Sequence, residues 1–269
     1  VPFLLLTYFL MEELEHHTGG KVQQRIRQAG NLEPLWGGIL GILPQCGFSA
    51  AASSLYAGRV ITIGTLFSVY LSTSDEMLPI FLSEKVPMET ILKILAVKVI
   101  IAVISGFAVE FAYLYLIHHK EKDLDIHTVC EEEHCSCEDG ALQSAITHTV
   151  KIFVFIFLIS AALNLLIGYV GEDSIAAIFQ GTPVMGEAVA ALVGLIPNCA
   201  SSVVITQLYL QHIISAGALM SGLLVNAGVG LLILFRLNRH WKKNLCIVGM
   251  LYTLGVFWGI VIEMSGILF

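Results

Sequence analysis

The sequence predicts an all-α, polytopic membrane protein built from two homologous repeats, each with one helix broken at a proline. Composition is the first ground. Of 269 residues, 56% are apolar and only 13% charged, with a mean hydropathy of +0.81. A water-soluble domain of this length needs far more charge to cover its surface. An internal match is the second. GILPQCGFSAAASSLY, from Gly41 to Tyr56, is echoed 153 residues later by GLIPNCASSVVITQLY, from Gly194 to Tyr209. Extended without a gap to Gly41 through Leu82 against Gly194 through Phe235, the match holds 13 identities in 42 positions. They include Pro44/Pro197, Cys46/Cys199, Gly64/Gly217 and Ser68/Ser221. The third ground is that the repeated prolines interrupt an apolar segment at the same point of each copy.

The first apolar run, VPFLLLTYFLM from Val1 to Met11, is too short to span. At the repeat offset it falls on Val154 to Asn164, the second half of a full helix, so the spacing predicts a first helix that begins before Val1; a cleaved signal peptide is the alternative. Segments follow at Leu35–Ala57, Val60–Leu82, Ile91–Ile117, Ile146–Val170, Ala188–Leu210, Ile213–Phe235 and Leu245–Phe269. Each is long enough to cross or deeply enter a hydrocarbon layer of about 30 Å. The run from Pro34 to Leu43 and that from Cys46 to Ala57 are each about half a membrane long at roughly 1.5 Å per residue. Pro44 donates no backbone hydrogen bond and disfavours helix at Leu43, which places the break between the two runs. The organisation expected is a first transmembrane repeat over 1–117, a polar linker over 118–145 and a second repeat over 146–269.

Charge bears on the topology. If the broken segments enter and leave by one side, each half crosses three times and the halves are inverted. Eleven Lys and Arg then share one face (Lys21, Arg25, Arg27, Arg59, Lys120, Lys122, Lys151, Arg236, Arg239, Lys242, Lys243) against Lys85, Lys93 and Lys98 on the other. Full spans would make the halves parallel and the split ten to four. The positive-inside bias favours inversion, with the linker in the cytoplasm.

A helix broken inside hydrocarbon exposes amides and carbonyls that need partners, so such breaks survive where protein, water or substrate satisfies them. A duplicated apolar unit of this kind is the pattern of transporters, with the site where the broken helices meet. The breaks offer amide oxygens from Gln45 and Asn198, thiols from Cys46 and Cys199, and hydroxyls from Ser49 and Ser202. A lone membrane cysteine is ordinarily inert packing; two at one repeat position, each beside a break, are candidate soft ligands. The next segment carries Ser72, Thr73, Ser74, Asp75 and Glu76 well inside its span, and Asn226 aligns with Thr73 while Gly228 aligns with Asp75. Adjacent carboxylates at mid-membrane are expensive unless they face a cavity, a cation or a proton path; a helix ending early would put them at an interface instead. Oxygen ligands suit hard divalent ions such as manganese, and thiols suit soft metals or arsenite. Lys98, Glu110, Asn164 and Glu263 are further polar residues in apolar segments. Lys98 and Glu110 could form a relay or ion pair, though snorkelling toward an interface is expected of each.

The net charge of −7 belongs to the linker: His118 to Gly140 holds eight Asp or Glu and two Lys, a net of −6. The same stretch carries His118, His119, His127, Cys130, His134, Cys135 and Cys137. These donors amid carboxylates read as a flexible chelating tract, since the ordered Cys pairs of a zinc-finger fold are missing. A solvated acidic loop with incidental His and Cys is the plainer alternative. The six cysteines do not have the spacing of a secreted disulfide scaffold.

The paired PQC and PNC breaks, the SDE segment and the His/Cys linker together resemble the ten-helix heavy-metal exporter family, whose members carry arsenic-efflux or manganese-transporter labels. The resemblance covers almost the whole chain. Counting each broken segment as two half-helices gives five per half and ten in all, as in that family. It implies export of a metal or metalloid and does not settle arsenic against manganese. The repeat pattern adds the expectation of alternating access at the interface of the repeats in a cell (plasma or inner) membrane, and the adjacent carboxylates Asp75 and Glu76 favour a manganese-like divalent ion over arsenite. A non-transporting metal sensor is the alternative of another class. An enzyme is not expected, because HExxH, GxSxG and CxxC are missing from the apolar segments. The expected partners are the metal ion, as substrate rather than cofactor, and the lipid bilayer; a homo-oligomer is compatible, and nucleic acid is not expected.

Overall fold

The structure, a computed structural model, describes residues 32–42, 46–58, 60–73, 77–116, 183–238 and 240–266, with 150, 154, 157, 158 and 161 besides. The expected first helix, Gln45, Asp75, Glu76, Asn164 and all seven His and Cys of the linker lie outside the described residues.

The described residues are helical throughout and hold no strand. In the first half run α1 (Glu33–Leu40), α2 (Cys46–Ala57), α3 (Ile63–Ser72), α4 (Met77–Ser83) and α5 (Met88–Leu116). In the second run α6 (Pro183–Gly194), α7 (Cys199–Leu210), α8 (Ala216–Val225), α9 (Gly230–Leu237) and α10 (Trp241–Ser265). Local chemistry sets the ends. Glu33 sits in the first turn of α1, where a carboxylate complements the positive helix end, and Pro34 follows where no intrahelical amide bond is lost. Thr62 caps α3 by accepting from the Thr65 N–H at 3.2 Å, and Ser215 caps α8 by accepting from the Ala218 N–H at the same distance. Gly266, at φ 66°, closes α10 in the left-handed region.

Every residue of α3 and α8 is buried, so these two helices form the centre. The long α5 and α10 instead present Ile100, Ile104, Phe111, Leu245 and Phe257 outward, an apolar exterior of the kind that faces lipid. By length and composition Met88–Tyr115, Ala216–Leu237 and Trp241–Ser265 can each cross a membrane. Small residues bring the backbones together, as expected where lipid removes the hydrophobic drive between helices. A Cβ on Gly64 would lie 2.5 Å from the Gly106 carbonyl oxygen, and one on Gly217 would lie 2.6 Å from that of Gly259.

Contacts fix the directions. Gly37 lies against Thr65 and Gly41 against the Val69 carbonyl, so α1 runs parallel to α3. Gly64 meets Glu110 while Ser68 meets Ala102, so α5 runs antiparallel to both. Six Cα steps join the end of α2 to the start of α3, a reach of at most about 20 Å. The Val60 N–H bonds back to the Leu55 carbonyl at 2.8 Å within that turn. Thus α1 begins, α2 ends and α3 begins at one end of the bundle. In the second half Gly186 lies against Ala218, and the Gly194 position against the Gly222 carbonyl, so α6 and α8 repeat the relation. Across the halves, α2 packs on α9, α7 on α4, and α3 on α8.

One expectation is corrected. Val60–Leu82 and Ile213–Phe235 are not continuous helices: α3 stops at Ser72 and α8 at Val225. No proline lies at either stop. At the first, the Ser72 and Thr73 hydroxyls donate to the Val69 carbonyl at 3.1 and 2.8 Å, competing for the acceptor that also takes the Thr73 N–H at 3.0 Å. Thr73 then turns to ψ 131°. At the second, Asn226 Oδ1 accepts the Gly228 N–H at 3.0 Å, the Asn-centred turn that replaces helix, and Gly228 adopts φ 52°.

Candidate functional site

The broken ends of α3 and α8 meet at Lys98 of α5. Its Nζ donates to the Thr73 carbonyl and, at 3.1 Å, to the Leu223 carbonyl of the other half. The side chain is completely buried. Lys98 lies ten residues, about 15 Å, along α5 from Met88. That overturns the snorkelling expected of it: the ammonium is turned inward and held by carbonyls where the helices stop.

Of the sequence-predicted site residues, the structure buries Ser49, Ser72, Thr73, Asn198, Ser202 and Asn226. Thr73 and Asn226 stand at the two central breaks, directly after α3 and α8. Asn198 occupies the N-cap position of α7 in extended backbone, its carbonyl accepting the Ser201 hydroxyl at 2.7 Å. Ser202 gives its carbonyl to the Thr206 hydroxyl at 2.7 Å. Cys46 and Cys199 are the opening residues of α2 and α7. Ser49 lines the contact with the other half, where a Cβ on Gly230 would stand 2.8 Å from its carbonyl oxygen. Among the described residues no group of three or more His, Cys, Asp or Glu is placed to hold a metal ion.

Three features escaped the sequence reading. Ser53 Oγ lies 2.7 Å from the Tyr70 hydroxyl, from the Ser49 carbonyl and from the Gly230 carbonyl, a buried knot tying α2, α3 and α9. Glu110 Oε2 accepts the Gly64 N–H at 2.8 Å, and Glu263 Oε2 accepts the Gly217 N–H at 3.0 Å, each holding the first turn of a central helix. The signal was available, since Glu110 and Glu263 stand at the same 153-residue offset as the two glycines. Glu187, buried beside Glu263, has one carboxylate oxygen that finds no hydrogen-bond partner among the described residues.

The interior therefore offers carbonyl, amide and hydroxyl oxygens around two interrupted helices, an environment that suits a cation. The family model described as "Putative, 10TM heavy-metal exporter" matches residues 1–171 and, in an overlapping second stretch, 110–253. The chain belongs to this family. Membership carries a membrane location and a metal ion as substrate. No curated protein and no solved structure matches the chain.

Proposed function

We propose that the protein exports a divalent metal cation, manganese-like in its preference for oxygen ligands, by alternating access between two inverted halves. The observation that carries this reading is the meeting of two interrupted helix ends at Thr73 and Leu223, with Asp75 and Glu76 following Thr73 in the chain. Helix ends of this kind, at mid-depth, present carbonyls that replace a cation's water, and adjacent carboxylates supply the charge a divalent ion needs.

Inversion is supported by chain reach. Because α1 begins and α2 ends at one end of the bundle, the pair is read as a re-entrant hairpin, and so is α6–α7. Each half then crosses with its first helix, its α3–α4 or α8–α9 segment and its long helix. Three crossings turn the second half over, as the distribution of Lys and Arg favours. That arrangement sets the 118–145 linker in the cytoplasm, where its His and Cys would gather metal for export.

Arsenite or a soft metal is the second reading, favoured by the repeated Cys46 and Cys199 at the openings of α2 and α7. The test is flux into proteoliposomes holding the purified full chain, run across manganese, zinc, iron, cobalt and arsenite. Manganese flux is the expected result. Arsenite flux alone would select the soft-ligand reading, and binding without flux of any ion would make the protein a sensor.

A further inference from the structure

Lys98 places a positive charge where the two central helices break, and the second half has no equivalent: Leu251, at the same repeat position, is buried and apolar. The carbonyls it meets belong to the last turns of α3 and α8. Beyond Leu223 the chain leaves the helix, for the Asn226 N–H returns to Gly222 and the Ala227 N–H, at 2.8 Å, to Val225. The Leu223 carbonyl thus loses the amide four residues on that helix would have provided. Helix C-termini also carry partial negative charge, so two of them turned toward one point attract a cation. An ammonium, with three donors and no acceptor, is a cation suited to bare carbonyls.

We propose that the broken ends of α3 and α8 form a cation site between the halves, and that the Lys98 ammonium is its resident occupant, displaced by the ion being transported. The identity of the displacing ion rests on the exporter reading above; the site itself does not. Until an ion arrives, the lysine ties the halves together through Thr73 and Leu223. An entering cation takes over the carbonyls and releases that tie, which couples loading to movement of one half against the other.

A site filled by its own tethered competitor for nine-tenths of the time or more shows an apparent affinity weakened about tenfold or more. Equilibrium binding of manganese to the full chain in detergent, wild type against Lys98→Met and Lys98→Arg, reads this directly. Lys98→Met should bind about tenfold tighter, and Lys98→Arg, which keeps the charge, within about threefold of wild type. Unchanged or weaker binding by folded Lys98→Met would overturn the proposal. A second measurement stands apart from manganese. Lys98→Ala leaves room for the missing propyl-ammonium end, so its thermal midpoint should rise with added propylammonium and not with tetramethylammonium at equal ionic strength. An equal response to both, or to neither, overturns the site. Should the wild type neither bind nor move manganese, the exporter reading with that ion fails, and the propylammonium response still decides whether the cation site exists.

Discussion

The two halves of the molecule share a frame and differ in chemistry. Helices α2 and α7 coincide in both ends at the 153-residue offset, as do α3 and α8. Thr62 and Ser215 cap equivalent helices, and Glu110 and Glu263 hold equivalent first turns at 2.8 and 3.0 Å. Yet Lys98 faces the second half's Leu251 in the alignment, Asp75 its Gly228, Tyr70 its Leu223 and Ser72 its Val225. The second half carries apolar residues or glycine at these positions and so lacks the polar contacts that Lys98 and Tyr70 make in the first. Keeping a charge in hydrocarbon is expensive unless it meets a cavity, a cation or a partner, so the proposed site chemistry falls on one half while the frame is common to both.

The strongest test of that asymmetry removes the first half's acid. Asp75→Asn or Glu76→Gln should abolish manganese flux in proteoliposomes, because a divalent ion in a desolvated site depends on formal charge. Cys46→Ser and Cys199→Ser should leave most of it. Arsenite transport would reverse the order, since a serine hydroxyl does not replace a thiolate. Flux indifferent to all four substitutions would move the site out of the repeated core.

The shared frame is tested by paired substitutions that should hurt the halves equally. Gly64→Ala and Gly217→Ala each thrust a methyl to within 2.5 and 2.6 Å of a backbone carbonyl on the neighbouring helix. Backbone cannot rotate away as a side chain can, so each should destabilise by about 1–3 kcal/mol, read as a fall in the thermal midpoint in detergent. Glu110→Gln and Glu263→Gln are milder, weakening a charge-assisted bond to a helix start by about 1 kcal/mol each. Among the described residues these two share no hydrogen-bond partner, so the double variant should show the sum. A large effect in one half with none in the other would break the equivalence.

The all-helical, apolar character of the chain was legible in the sequence. Repetition of Pro44 and Pro197 predicts an interruption at each; residues 43–45 lie outside the described residues, and near Pro197 helix stops at Gly194 and resumes at Cys199. The second interruption was named only in the first half, as the alternative of a helix ending before Asp75, because its cause is local. Ser72 and Thr73 hydroxyls turn back on the Val69 carbonyl, and Asn226 makes its own turn with Gly228, which composition and hydropathy do not register. Lys98 was misjudged for a related reason. A lysine in an apolar segment reads as snorkelling when its surroundings are taken for lipid and unbroken helix; broken ends supply the carbonyls that let it stay inside. Ser49, Ser202 and Asn226 were named from alignment alone, and all three are buried.

The smallest effect is expected outside the repeated frame. The linker donors from His118 to Cys137 belong to neither copy, so transport through the core should not need them. Their chemistry, imidazoles and thiols amid carboxylates, suits gathering a scarce metal rather than passing it through. Deleting Lys120 through Asp139 should therefore leave flux at saturating manganese nearly unchanged and weaken it only at low metal, a shift in half-saturation without loss of maximal rate. A folded deletion variant without flux at any metal concentration would place the linker in the pathway, and the difference between the halves would then be too narrow a place to look for the site.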